Sequence, residues 1–103
     1  MHHAVRARFC IERGKFWQAE YWIGETRNCA LSLACLRAGL PARHGRGFDN
    51  LRREVHDAFR SSFVSSLEQA ELLRVLGVVI NGLLNQSEMV HEFALKEIGR
   101  AHV

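Results

Sequence analysis

Residues 15–40 constrain the fold more than any other part of the chain, because they form a long stretch without proline that favours one helix. The second half of this stretch, CALSLACL at residues 29–36, is apolar on almost every side of a helix. A helix that is apolar all round is enclosed by other elements. Gly39 stands where a glycine commonly ends a helix, and Pro41 prevents its continuation. We therefore predict a central helix over residues 15–38.

Three further helices are predicted around the central one. The first covers residues 2–12, with Val5, Phe9 and Cys10 facing inward, and Arg13-Gly14 breaks it. The third follows a cap at Asp49 or Asn50, and its apolar positions recur at helical spacing from residue 51 to residue 63.

The last helix begins near Glu68, where Ser65 and Glu68 match a capping box. We expect it to continue through residues 85–88 as one long helix, with a break there as the alternative. The sequence thus predicts the all-α fold class, an up-and-down bundle of four main helices. The 103 residues suffice for a single helical domain over residues 1–103.

Composition excludes several classes of protein. The longest apolar run, residues 75–84, is too short to cross a bilayer, and no signal peptide is recognisable at the amino terminus. A net charge of +3 is too small to indicate nucleic-acid binding, although the positive charge is almost all arginine, which favours anions. We therefore expect a cytoplasmic protein without membrane association, for which nucleic acid is a disfavoured partner.

The cysteine and histidine pattern gives no reason to expect a metal or another cofactor. Three cysteines make an odd count, and no CxxC or cysteine–histidine spacing typical of zinc is present. We interpret the three as buried free thiols in a reducing compartment.

The first half of the central helix carries a candidate ligand-binding cleft. Glu20 and Arg27 fall on one helical face with an apolar stripe, and Gly24 leaves a notch between them. Trp17 and Tyr21 lie beside them in sequence. We predict a partly enclosed cleft formed by Trp17, Glu20, Tyr21 and Arg27. The alternative is an ion pair of purely structural importance beside a packing notch.

The loop after the central helix is a candidate anion-binding site. Its sequence Arg43-His44-Gly45-Arg46-Gly47 combines firm positive charge with two glycines and free backbone amides, which suit a phosphate, carboxylate or nucleotide. It is not a Walker loop, because no GxxxxGK[ST] occurs. The alternative is a connection whose arginines cap helix ends.

Two segments carry a resemblance to a known family. The runs LACLRAGLPARHGRGFDNL and SLEQAELLRVL, within a region from residue 8 to residue 84, resemble the helical domain that follows the catalytic domain in aminoglycoside-nucleotidyltransferase-like proteins of the DNA polymerase β superfamily. The resemblance implies a bacterial protein whose helical domain helps form a substrate cleft. In some members of the family an acidic residue of this domain deprotonates the attacking hydroxyl, and Glu20 is the residue best suited to that role. Short orphan proteins of this kind resemble the products of mobile integron cassettes.

The metal-binding and triphosphate-binding motifs of that superfamily are missing from the chain. Nucleotidyl transfer needs clustered aspartates for magnesium and a Gly-Ser loop, whereas only Asp49 and Asp57 occur. We therefore expect a non-catalytic ligand-binding or protein-interaction module rather than an enzyme. One alternative is an accessory, antitoxin-like subunit of a separate catalytic nucleotidyltransferase. The other is a HEPN-like ribonuclease, for which Arg37 and His44 have a permissive spacing although Gly39 separates them.

Apolar residues near both ends of the predicted bundle indicate a homo-oligomer, most simply a two-fold dimer. Phe9, Phe16, Trp17 and Trp22 lie near one end. Val90, Phe93 and Ile98 lie on a last helix that is longer than its neighbours. Large exposed apolar patches are uncommon on monomers, and dimers are the commonest closed assembly.

Overall fold

The computed structural model describes the backbone of residues 2–101 and the side chains of residues 2–96. Four α-helices account for most of the described chain, and they confirm the predicted all-α bundle. They are α1 (His2–Glu12), α2 (Phe16–Ala38), α3 (Arg53–Phe59) and α4 (Gln69–Ala101). Short 3₁₀ turns at Arg43–Gly45 and Phe48–Asn50 connect α2 to α3.

Helix α2 is the centre of the bundle, as its sequence predicts. It packs along α1 and α4, and Gly39 ends it in the left-handed conformation, with its backbone amide directed at the last carbonyls of the helix. Helix α1 folds back on the start of α2, because the amide of Lys15 donates to the carbonyl of Cys10 and the ring of His3 stacks on Trp22.

Two apolar clusters fill the bundle, and they show that α2 and α4 run in the same direction. The first core lies between α1 and the first halves of α2 and α4, and comprises Ala4, Ala7, Cys10, Ile11, Ala19, Ile23, Leu72, Val75, Leu76 and Val79. The second core lies between the second half of α2, the α3 region and α4, and comprises Ala30, Ala34, Cys35, Leu51, Val55, Phe59 and Leu83.

The inward face of α1 differs from the prediction. Ala4, Ala7, Cys10 and Ile11 are buried, whereas Val5 and Phe9 are half exposed. The small alanine side chains let α1 approach α2 closely. Because the alanine face of α1 is turned toward α2, the larger side chains of Val5 and Phe9 lie on its outer side.

The third helix is much shorter than predicted. Leu51 and Arg52 have extended backbones, so Arg52 rather than Asp49 or Asn50 precedes the helix, and no side chain caps it. After Phe59 the chain leaves the helix, and the amide and hydroxyl of Ser62 both donate to the carbonyl of Phe59.

The chain then returns along the bundle to the start of α4 without a helix. We call residues 60–68 the return segment, and its Val64 and Leu67 pack against the first core. The capping box predicted at the start of α4 pairs Ser65 with the wrong glutamate. Glu71, not Glu68, accepts hydrogen bonds from both the backbone amide and the hydroxyl of Ser65.

Helix α4 is one continuous helix of 33 residues, which confirms that residues 85–88 do not break it. At about 1.5 Å per residue it is about 50 Å long, close to the 54 Å longest dimension of the molecule. None of the described helices combines enough length with enough apolar character to cross a membrane.

Candidate functional site

Arg27 joins α2 to the return segment. Its Nη1 donates to the carbonyl of Ser62 at 2.8 Å, and its guanidinium lies 4.2 Å from the centre of the Phe63 ring. Partial burial lowers the pKa of Arg27, and the negative charge of Glu20 opposes that shift. A half-buried guanidinium with these partners holds two parts of the chain together.

Gly24 and Glu20 lie beside Arg27 on α2, but Glu20 does not form a close ion pair with it. A Cβ atom added at Gly24 would lie 3.7 Å from Nη2 of Arg27, so the guanidinium fills the notch that the glycine leaves. The ion pairs within 4.0 Å that the described residues form involve other arginines, namely Arg8, Arg53, Arg60 and Arg74. Glu20 therefore acts on Arg27 through its charge without direct contact.

The structure separates the aromatic residues of the predicted cleft from Arg27. Trp17 is 84% exposed, and Tyr21 is also exposed, with its ring edge against Trp22 at 5.0 Å between centroids. The prediction that Trp17 borders a partly enclosed cleft is therefore wrong in geometry, because the neighbouring Phe16 packs against the first core and Trp17 lies on the outer face of the same turn. Ligand binding by Glu20 and Arg27 stays a prediction.

Arg27 borders a different cleft, on the side of α3. This hollow has a volume of about 360 Å³ and is mainly apolar, with Leu31, Phe48, Phe59 and Phe63 among its walls. His56 also lines it, and its Nε2 is already 2.7 Å from the carbonyl of Phe48. The sequence did not indicate this cleft, because Phe48 belongs to the irregular segment after α2 and Phe63 to the return segment.

The predicted anion-binding loop is exposed but partly satisfied by its own backbone. Arg43, His44 and Arg46 are exposed, and His44 and Gly45 both have positive φ, 59° and 72°. The amides of Gly45 and Arg46 donate to carbonyls of the loop and its preceding residue, so they are not free for an anion. Gly47 is buried. Anion binding here stays a prediction that depends on the side chains.

The cysteines divide into two classes, which corrects the expectation that all three are buried. Cys10 and Cys35 are buried, and burial raises the pKa of the Cys35 thiol. Cys29 is exposed on α2. No three His, Cys, Asp or Glu side chains come together as a possible metal site within the residues that the structure describes.

The carboxyl-terminal half of α4 exposes apolar side chains. Met89, Phe93 and Leu95 are 42%, 44% and 54% exposed, and every described residue from 91 to 96 is exposed. Val90 is only partly covered. Ile98, which we also expected on this surface, lies outside the described side chains.

The comparisons with known proteins add no family to these observations. No protein-family model, curated protein or solved structure matches the chain. The resemblance to nucleotidyltransferase helical domains therefore depends on the two quoted segments, and the function has to be argued from the surface of the molecule.

Proposed function

We propose that this chain is a non-catalytic protein-interaction module that pairs with a second copy of itself through the end of α4. One observation carries the proposal. The apolar stripe that packs α4 onto α2, through Leu72, Leu76, Val79 and Leu83, continues at the same helical spacing to Val90 and Phe93. We call the continuation, residues 89–96, the projecting end of α4.

The exposure of this surface supports an interface. Val90 and Phe93 lie one turn apart on the same face of α4, and Phe93 is 44% exposed. Met89 lies beside them, next to the end of α2 and the start of α3, whereas Leu95 is exposed on the opposite side of the helix. A helix that extends beyond its bundle gains little stability from its own backbone hydrogen bonds, because isolated short helices are only marginally stable in water. A second copy of the same helix offers an equally long apolar surface, and a two-fold pairing buries each residue type twice.

The resemblance supplies the broader class within this proposal. It favours a nucleotidyltransferase-type helical domain in a bacterial cytoplasm, with the module role in place of catalysis. The second candidate, an accessory subunit that binds a separate catalytic nucleotidyltransferase, is favoured by another exposed surface. Phe9, Trp17 and Tyr21 are exposed where α1 meets the start of α2, at the opposite end of the molecule from the projecting end of α4.

Light scattering after size exclusion, at tens of micromolar protein, tests the proposal. We expect twice the chain mass of 11.8 kDa. Phe93→Glu should return the mass to that of one chain with unchanged helical circular dichroism, because a carboxylate would be buried in the interface. Leu36→Glu is the matched control, since Leu36 is an exposed apolar residue on α2.

Three outcomes separate the candidates. A single-chain mass for the wild type at all concentrations contradicts self-pairing. Dissociation by Leu36→Glu as readily as by Phe93→Glu contradicts the location of the interface. Dissociation by Trp17→Glu and not by Phe93→Glu transfers the interface to the α1–α2 end, and the accessory-subunit candidate would then lose its separate surface.

A further inference from the structure

A second cleft, distinct from the one beside Arg27, lies between the end of α2, the start of α3 and the middle of α4. It has a volume of about 370 Å³ and continues into a neighbouring hollow of about 730 Å³. Arg37, Arg52, Val55 and Met89 line both parts. Sites for small molecules in proteins have volumes in this range.

Gln86 gives this cleft a polar group that the protein itself does not satisfy. The residue lines the cleft and is 4% exposed, and its side-chain Oε1 is buried without a hydrogen-bond partner among the described residues. It occupies the position on α4 that follows Leu83 in the core-facing stripe, among residues that are otherwise apolar. Buried acceptors without partners are rare in proteins, so the position calls for a donor.

The charged residues of the cleft favour one negative charge on a ligand. Arg37 and Arg52 have no carboxylate of the described residues within 4.0 Å, since the ion pairs there belong to other arginines. Guanidinium groups bind carboxylates and phosphates with two parallel hydrogen bonds. Glu54 also lines the cleft, and its carboxylate disfavours a doubly charged phosphate.

The remaining walls are apolar. Val55, Ala58, Phe59 and Met89 line the cleft between the arginines and Gln86. A ligand would thus meet cations, an apolar wall and a lone hydrogen-bond acceptor.

We propose that this cleft binds a small aromatic monocarboxylate that carries an N–H donor. Its carboxylate pairs with Arg37 and Arg52, its ring packs on Val55 and Met89, and its N–H donates to Oε1 of Gln86. The proposal uses no residue of the predicted anion-binding loop, and Met89 is the one residue that it shares with the projecting end of α4.

Nuclear magnetic resonance titration of the ¹⁵N-labelled full chain tests the ligand class. Indole-3-acetate has all three features, 1-naphthaleneacetate lacks the N–H, and indole lacks the carboxylate. We expect indole-3-acetate to move the amide signals of Arg37, Arg52 and Gln86 in a saturable way at millimolar concentration. The other two probes should bind about tenfold more weakly, since each lacks one polar group. Inorganic phosphate should also bind at least tenfold more weakly, because it lacks the ring that packs on the apolar wall.

Three variants locate the site. Arg52→Gln should weaken indole-3-acetate about tenfold, whereas Arg53→Gln, the matched control, should not. The Arg53 side chain is 88% exposed and lies near Asp57. Gln86→Leu should fold and should bind indole-3-acetate and 1-naphthaleneacetate equally. No saturable shift in the wild type, equal binding of these two probes by the wild type, or equal loss in Arg52→Gln and Arg53→Gln would overturn the proposal.

Discussion

The two halves of α4 have the same pattern of apolar residues and opposite surroundings. Leu72, Val75 and Val79 in the first half are fully buried against α1 and α2. Phe93 in the second half, about five turns after Val75 on the same face, is 44% exposed. The helix is continuous between the two halves.

The difference between the halves shows that helical periodicity predicts which face of a helix is apolar but does not identify the element that packs against it. In the first half α1, α2 and the return segment cover the stripe. In the second half α2 has already ended at Gly39, so the stripe leaves the bundle. Gln86 marks the boundary between the halves, as a buried polar side chain in an otherwise apolar series.

Truncating one large side chain in each half of α4 should give the largest difference in stability. Leu72→Ala should lower the free energy of unfolding by about 2–5 kcal/mol, because it leaves a cavity in a closed core. Phe93→Ala should change the unfolding free energy of the isolated chain by less than about 0.5 kcal/mol, since its side chain is not part of either core. Urea unfolding at submicromolar concentration measures both.

Equal losses of unfolding free energy in Leu72→Ala and Phe93→Ala would contradict the comparison. They would show that the projecting end packs within one chain. Helical circular dichroism before unfolding controls for a change in the native fold.

Two glycines of α4 sharpen the comparison within its covered half. A Cβ at Gly82 would overlap the ring of buried Phe59, whereas a Cβ at Gly77 meets nothing within 4 Å. Gly82→Ala should cost about 1–3 kcal/mol through overpacking. Gly77→Ala should add about 0.5–1 kcal/mol through helix propensity. Thermal unfolding should show shifts of opposite sign, and shifts of the same sign would contradict the packing of α3 on α4.

The return segment covers the first half of α4, so weakening its attachment tests that cover. Arg27→Gln should lower stability by about 1–2 kcal/mol, because the carbonyl of Ser62 loses its charged donor and Phe63 loses its cation. Arg60→Gln is the control, since Arg60 is exposed and pairs with Asp57 at the surface. If the two variants unfold alike, Arg27 does not fasten the segment.

The smallest expected effect concerns the start of α4 and its pH dependence. Hydrogen bonds from Arg74 and Ser65 hold the pKa of Glu71 at about 2, below its ordinary 4.5. A carboxyl whose pKa is lower in the folded state stabilises the fold above its unfolded pKa and loses this contribution as the pH falls from about 4.5 to 2. Glu71→Gln should flatten the stability curve in that window. An unchanged slope would contradict the cap.

The sequence predicted the elements that depend on local signals. The long apolar run and Gly39 defined the centre of the fold, and the uninterrupted pattern predicted one continuous α4. The extent of α3 could not be predicted, because the spacing of Leu51, Val55 and Phe59 fits a helix that continues to Phe63. The helix ends at Phe59 instead, where the Ser62 hydroxyl donates locally to the Phe59 carbonyl and the distant Arg27 binds the carbonyl of Ser62.

The candidate sites were less predictable than the fold. Arg27 was identified from its place beside Gly24, but its true partner, the carbonyl of Ser62, is 35 residues away. Trp17 was grouped with it by sequence proximity alone and is exposed in the structure. The cleft at Gln86 could not be predicted from the sequence. Gln86 lies in the polar run of residues 85–88, which is also typical of an exposed stretch of helix.

Hydrogen exchange at two protein concentrations tests most directly whether the projecting end of α4 is an interface. We expect the amides of residues 89–96 to be protected at high micromolar concentration and to lose protection on dilution, while Leu72 and Val79 keep theirs. A self-paired helix requires this dependence on concentration, because dilution separates the two copies. Protection of residues 89–96 that is the same at both concentrations would contradict the account.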